Sequence, residues 1–226
     1  PPRCLGCERR LASSRPPLFC ADCGQALRPL GSPLCTRCGL PFPAGADHLC
    51  GDCLAGRPAY DFARALFAYQ PPVPALILAL KFAGQLTGLS SLGALAARSP
   101  FLTQFTEPDL VLPVPLHPAR LRARGFNQAL LIARACFPHW RSHLDTVLLR
   151  RQRSTRPQAQ LSGRERRTNL AGVFALNDPE RVRGRRVLLV DDVFTTGSTV
   201  QECSRVLAAA GAERIEVFTL ARSLAR

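Results

Sequence analysis

Four Cys-x-x-Cys steps crowd the first 53 residues: Cys4 and Cys7, Cys20 and Cys23, Cys35 and Cys38, Cys50 and Cys53. Such a step lets two thiolates reach one metal from a tight turn, and two steps complete a tetrahedral sulfur site suited to zinc. The gaps between steps are 12, 11 and 11 residues, a spacing typical of zinc ribbons or knuckles. Glycine follows Cys23 and Cys38 and supplies the turn after a knuckle. A disulfide scaffold would use the same residues. Against it, only Cys136 and Cys203 lie elsewhere, and the amino terminus PPRCLGCERR has no apolar signal region. Two zinc ions in a cytoplasmic chain are therefore expected. Sequential and interleaved pairing of the steps both remain open. Cys136 and Cys203 sit in helical patterns and read as small buried hydrophobes.

Beyond Cys53 the pattern changes. Tyr60–Tyr69, Leu110–Val114, Thr146–Leu149, Gly172–Leu176, Arg186–Asp191 and Ile215–Leu220 read as strands. Val73–Phe82, Gln85–Arg98, Asn127–Phe137 and Val200–Ala210 read as helices, the third with an apolar face at Leu130, Leu131 and Ala135. Strands alternating with helices predict an α/β fold, a mainly parallel sheet with helices on both faces. A hydrophobic content of 46% supports a packed globule over a disordered chain. The central apolar run Val73–Leu80 contains Pro74 and stops at Lys81, far too short to span a membrane. The expected division is a double zinc-ribbon module over residues 1–57 and an α/β domain over 58–226.

The stretch Val187–Val200 reads VLLVDDVFTTGSTV. Its apolar run suits a strand buried on both faces. Asp191 and Asp192 fall at the strand's carboxyl end, where open α/β sheets place their ligands. Thr195, Thr196, Gly197, Ser198 and Thr199 then turn into a helix, with Thr199 and Glu202 fitting a capping box. The first helical turn offers unpaired N–H groups and the positive dipole end, which together cradle a phosphate. Two acids would repel a phosphate placed on them, but they can accept hydrogen bonds from sugar hydroxyls nearby, directly or through a metal. The stretch therefore asks for a sugar with a diol and a terminal phosphate, such as ribose 5-phosphate. Neither a P-loop nor a dinucleotide fingerprint is present.

VLLVDDVFTTGST resembles, at every position, the signature of type I phosphoribosyltransferases, enzymes of 5-phosphoribosyl-1-pyrophosphate (PRPP). More narrowly, the chain is similar to the ComF/ComFC family, competence-associated proteins with an amino-terminal cysteine zinc module. The cysteine ladder carries that likeness. So do ALILALKFAG at Ala75–Gly84, PVPLHPARLRARGFNQ at Pro113–Gln128, and RQRSTRPQAQLSGRERRTNLAGVF at Arg151–Phe174. The resemblance implies a type I phosphoribosyltransferase-like fold. Asp191 and Asp192 would be catalytic and hold the ribose hydroxyls, and Thr195 to Thr199 would hold the 5-phosphate. It implies a pyrophosphate loop at Pro113–Pro118 and a lid over 151–169. Arg120, Arg124, Asn127, Gln128, Arg156 and Gln158 are then candidates for pyrophosphate or lid contacts, and Mg²⁺ would accompany PRPP. The implied reaction displaces pyrophosphate from C1 by a nitrogen nucleophile not named by the sequence. A non-catalytic module that senses PRPP or binds DNA is the alternative. The family's link to natural transformation implies single-stranded DNA, or a DNA-import helicase, as a partner. A net charge of +14 independently favours polyanionic ligands. Lys81, the one lysine among 30 basic residues, reads as a cation closing a helix, and His117 as a turn residue.

Overall fold

A computed structural model describes residues 3–11, 19–82, 89–153 and 172–224. Four strands form the main sheet: β1 (Phe62–Ala68), β2 (Leu110–Pro113), β5 (Arg186–Phe194) and β6 (Arg214–Arg222). They are parallel and lie in the order β1, β6, β5, β2. The apolar run of β5 is buried throughout, and its residues alternate between two cores. Leu188 and Val190 face one side, Val187 and Leu189 the other. That alternation is why the run is continuously apolar.

The first side is covered by α3 (Val73–Phe82), α4 (Leu89–Ala97) and α6 (Gln128–Cys136). In α3, Val73, Leu76, Ile77 and Leu80 are buried while Leu78 stays exposed, the stripe of an amphipathic helix. Each of those four side chains contributes roughly 1.5–3 kcal/mol on burial. In α6 the buried stripe is Ala129, Ile132, Ala133 and Cys136, with Leu131 beside it, while Leu130 and Ala135 are half-buried. The helix is thus rotated from the expected Leu130, Leu131, Ala135 face. Close packing explains it: a Cβ on Gly93 of α4 would lie 2.7 Å from the Ala135 carbonyl oxygen, so the α4–α6 contact takes only small residues.

The second side is covered by α7 (Ser198–Ala209), by β3 (Leu149–Arg151) and β4 (Phe174–Leu176), and by the second cysteine group. β3 and β4 pair antiparallel in a separate ribbon, so these two strands do not join the main sheet. Three-residue strands carry too little periodicity to declare their partner. Cys136 and Cys203 are buried as expected, and burial pushes both thiols well up.

The cysteine-bearing segment is stitched to the edge of the sheet. Leu30 N–H donates to Leu66, Ala68 N–H to Arg28 and Ala63 N–H to Arg37, at 2.7–3.0 Å. A Cβ on Gly39 would lie 2.6 Å from the Ala63 carbonyl oxygen, so this knuckle sits directly on β1. Short helices α1 (Ala21–Gln25) and α2 (Gly51–Ala55) start within the second and fourth Cys-x-x-Cys steps. Among the described residues no helix is long and apolar enough to cross a membrane.

Candidate functional site

β5 does not end at the acids. It continues through Val193 and Phe194, so Asp191 and Asp192 are held in regular strand geometry, each 8% exposed. The Asp191 carboxylate accepts the Asp192 N–H at 2.9 Å, and Asp192 accepts the Val193 N–H at 2.8 Å. Burial, then the neighbouring Asp192 charge, raises Asp191 well above the ordinary carboxylate range, against the pull of Lys81. Lys81 Nζ lies 2.8 Å from Asp192 Oδ2. Gln128 Nε2 lies 3.5 Å from the same oxygen, and Arg124 donates to Gln128 Oε1 at 2.7 Å. Lysine, acid, amide and arginine thus form one chain of contacts from three helices and a strand.

These groups line a cleft of about 550 Å³ at the carboxyl ends of β2 and β5, with Arg120, Arg151, Thr195 and Thr199 also on its wall. Tyr69, Leu78, Pro115 and Leu116 supply apolar surface at its side. α5 (Pro118–Arg124) carries Arg120 and Arg124 towards the cleft, and His117 caps its start by accepting the Ala119 N–H. Burial lowers the proton affinity of the Arg124 and Arg151 guanidinium groups, while Asp192 and Asp191 oppose that effect.

The sequence expectations meet this geometry unevenly. Asp191, Asp192, Thr195, Thr199, Arg120, Arg124 and Gln128 are brought together. Thr196, Gly197 and Ser198 line a second cleft of about 300 Å³ beside Cys38, Cys53, Tyr60, Phe194 and Arg222. The five-residue turn is therefore the wall between two clefts. Asn127 is used by the backbone at both ends of its amide. It accepts the Ala129 N–H to cap α6 and donates to the Val114 carbonyl, which pins the turn after β2. Arg156 and Gln158, with residues 154–169 of the expected lid, lie outside the described residues. Lys81 does more than close a helix: its side chain reaches the acid pair. The sequence held one signal, a lone lysine in an arginine-rich chain.

The expected capping box is absent. α7 starts at Ser198 with Gly197 as its cap, in the left-handed region at φ 75°, so Thr199 is already inside the first turn. Glu202 instead accepts the Gly172 N–H at 2.7 Å and pairs with Arg205. Left-handed backbone plus a tight neighbour fixes the residue at 197, because a Cβ there would lie 2.5 Å from Cζ of Phe194. Gly197→Ala should therefore lower stability by about 1–3 kcal/mol, read as a fall in the midpoint of denaturant unfolding. An unchanged midpoint would show that the turn yields freely.

The cysteines group sequentially, Cys4, Cys7, Cys20, Cys23 and Cys35, Cys38, Cys50, Cys53, with all sulfurs of a group within 4.8 Å of one another. Zinc–sulfur bonds of about 2.3 Å in a tetrahedron place sulfurs about 3.8 Å apart. Cys7 to Cys20 and Cys38 to Cys50 are each 3.7 Å. Burial raises the Cys4 and Cys35 thiols, yet backbone N–H groups outweigh it and bring each to about 6. Two zinc ions suit this donor set.

A double zinc ribbon family model matches residues 1–54 and a phosphoribosyl transferase domain model residues 137–226. The DNA utilization protein YhgH of Escherichia coli O157:H7 is 38% identical over 91% of each chain. Competence protein F of Haemophilus influenzae is 36% identical over 98% of this chain and 97% of its own. The chain belongs to the ComF family. Competence protein ComFC of Bacillus subtilis is a more distant relative, 27% identical over 90% of this chain and 84% of its own. In this ComF-family chain the zinc ribbon and the phosphoribosyltransferase fold share one sheet edge, as the hydrogen bonds from residues 28–37 to β1 make plain.

Proposed function

We propose that the cleft binds PRPP with Mg²⁺ and that the chain is a phosphoribosyltransferase of the ComF family. The observation that carries this reading is the juxtaposition of a buried acid pair with cations on either side and a phosphate-type turn at its end. Asp191 and Asp192 accept the ribose hydroxyls. The turn from Thr195 to Thr199, at the positive end of α7, takes the 5-phosphate. Arg120, Arg124 and Arg151 face the pyrophosphate as guanidinium donors. Asp191 and Asp192 would also hold Mg²⁺, which would supply charge neutralisation for the leaving diphosphate. Gln128 orients Asp192, and Lys81 balances its charge until the ligand arrives.

Displacement of pyrophosphate from C1 by a nitrogen nucleophile then needs mainly placement and charge stabilisation. Pyrophosphate release from PRPP, screened across nucleobases and small amines, tests turnover. Release with one acceptor supports an enzyme; silence with all of them, while PRPP still binds, favours the sensing role.

The names of the relatives, DNA utilization and competence proteins, and the charge of +14 support a second element, contact with DNA; that the DNA is single-stranded and that an import helicase stands beside it come from the family resemblance alone. Arginine contacts to phosphates release counterions, so log affinity for a single-stranded oligonucleotide should fall linearly with log salt, by about 0.7 per phosphate contacted. Fluorescence anisotropy between low and moderate salt reads the slope. A flat response would remove DNA from the account.

A further inference from the structure

We propose that Arg222 is a positioning residue through which the second cysteine cluster holds the phosphate-binding turn, so that metal at Cys35–Cys53 and ligand at the turn favour each other. The inference rests on the reading of that turn as the 5-phosphate site. Arg222 ends β6 opposite Phe194 of β5. Its guanidinium lies 4.2 Å from the Phe194 ring centroid. It donates to the Cys38 carbonyl at 2.6 Å and to the Cys38 sulfur at 3.4 Å. The residue is 7% exposed, and among the described residues its Nε has no hydrogen-bond partner. Phe194 in turn lies so close to Gly197 that no side chain fits there. An unbroken line of contacts thus runs from a thiolate of the cluster, through a guanidinium and a ring, to the start of α7.

Charge explains why this line responds to metal. A buried arginine is costly unless an anion faces it. Four thiolates around a divalent zinc carry a net double negative charge, which is the anion Arg222 faces. With the cluster empty, no ion gathers the four sulfurs beside Arg222, and the guanidinium, held to the cluster only through Cys38, has reason to leave for solvent. Phe194 then loses the group stacked on it, and the turn loses its backing. The first cluster packs in the opposite core, around Cys4 and Leu27, and has no share in this line. Linkage makes the effect reciprocal: ligand at the turn must tighten the second cluster as much as the cluster tightens ligand.

The test uses the full chain with cadmium in both clusters, since cadmium NMR gives a resonance for each. Cys7→Ser, which alters only the first cluster and at its exposed member, assigns them. Titration with PRPP should move the second-cluster resonance and leave the first in place. Arg222→Gln should abolish that movement and weaken PRPP binding about tenfold, within the usual 5- to 150-fold range of such couplings. Arg222→Lys, which keeps charge but not the forked donors, should fall between. A second-cluster resonance that stays still while calorimetry shows PRPP bound would overturn the inference and spare the proposed function. So would unchanged PRPP affinity in Arg222→Gln. No PRPP binding by the wild type would overturn both. The wild-type titration decides the matter even if Arg222→Gln does not fold.

Discussion

The double substitution Asp191→Asn with Asp192→Asn should give a folded, zinc-loaded chain that no longer binds PRPP. Each carboxylate would make charge-assisted hydrogen bonds to the ribose, worth about 1.5–3 kcal/mol apiece, so the pair supplies about 3–6 kcal/mol. That is a loss of roughly two to four powers of ten in affinity, measurable by equilibrium dialysis with labelled PRPP. Stability should move little, because the two substitutions pull in opposite directions. Asp191→Asn relieves a buried charge that Asp192 repels; Asp192→Asn leaves Lys81 without its partner. The pH dependence has a definite sign. Asp191 binds its proton more tightly folded than unfolded. Its ionisation therefore opposes folding as pH rises above the ordinary carboxylate range, until the raised folded value is passed. Asp191→Asn alone should flatten that slope, read as melting midpoints that vary less with pH. Because Asp191 holds its proton more tightly than usual, PRPP binding, which needs the ionised acid, should tighten as pH rises above the ordinary carboxylate range. Retained binding in the double variant would break the link between the acid pair and the ligand.

Loss of the second metal cluster should cost far more than loss of the first. Cys35, Cys38, Cys50 and Cys53 are all buried, in one core with Tyr60, Ala63, Leu189 and Val217. Cys7 is exposed and Cys20 and Cys23 are half-buried. A structural zinc contributes about 10 kcal/mol or more to folding, against a total stability of about 5–15 kcal/mol for a domain. Cys35→Ser should therefore leave the sheet unable to hold together, whereas Cys7→Ser should fray residues 3–11 and their surroundings. From sequence alone, chelation is expected to unfold residues 1–55 and spare much of the rest. The buried second cluster revises that expectation, because its removal strips one face of β1 and β6. Thermal unfolding with limited proteolysis compares the variants, and equal midpoints would contradict the argument.

What the sequence revealed, and what it hid, follows from range. The β5 strand was legible because Val187–Val190 must be apolar on both faces. α3 was legible because its buried stripe repeats at helical spacing. The clusters were legible because two thiolates per turn need a fixed spacing, although only the fold decides which steps pair. Lys81 showed in the sequence only as a lone lysine, and the contact of Arg222 with Cys38 did not show at all. Each acts through a side chain delivered by one element to another far along the chain, and no local pattern encodes such a meeting. The start of α7 was misread for a related reason. A left-handed glycine pressed against Phe194 outranked a plausible Thr-x-x-Glu cap, and the Glu was taken by Gly172 instead.

Isothermal titration of the zinc-loaded wild-type chain with PRPP in magnesium asks whether the cleft takes this ligand. One PRPP per chain should bind, saturably. No saturable heat, or heat equally produced by free pyrophosphate alone, would contradict it.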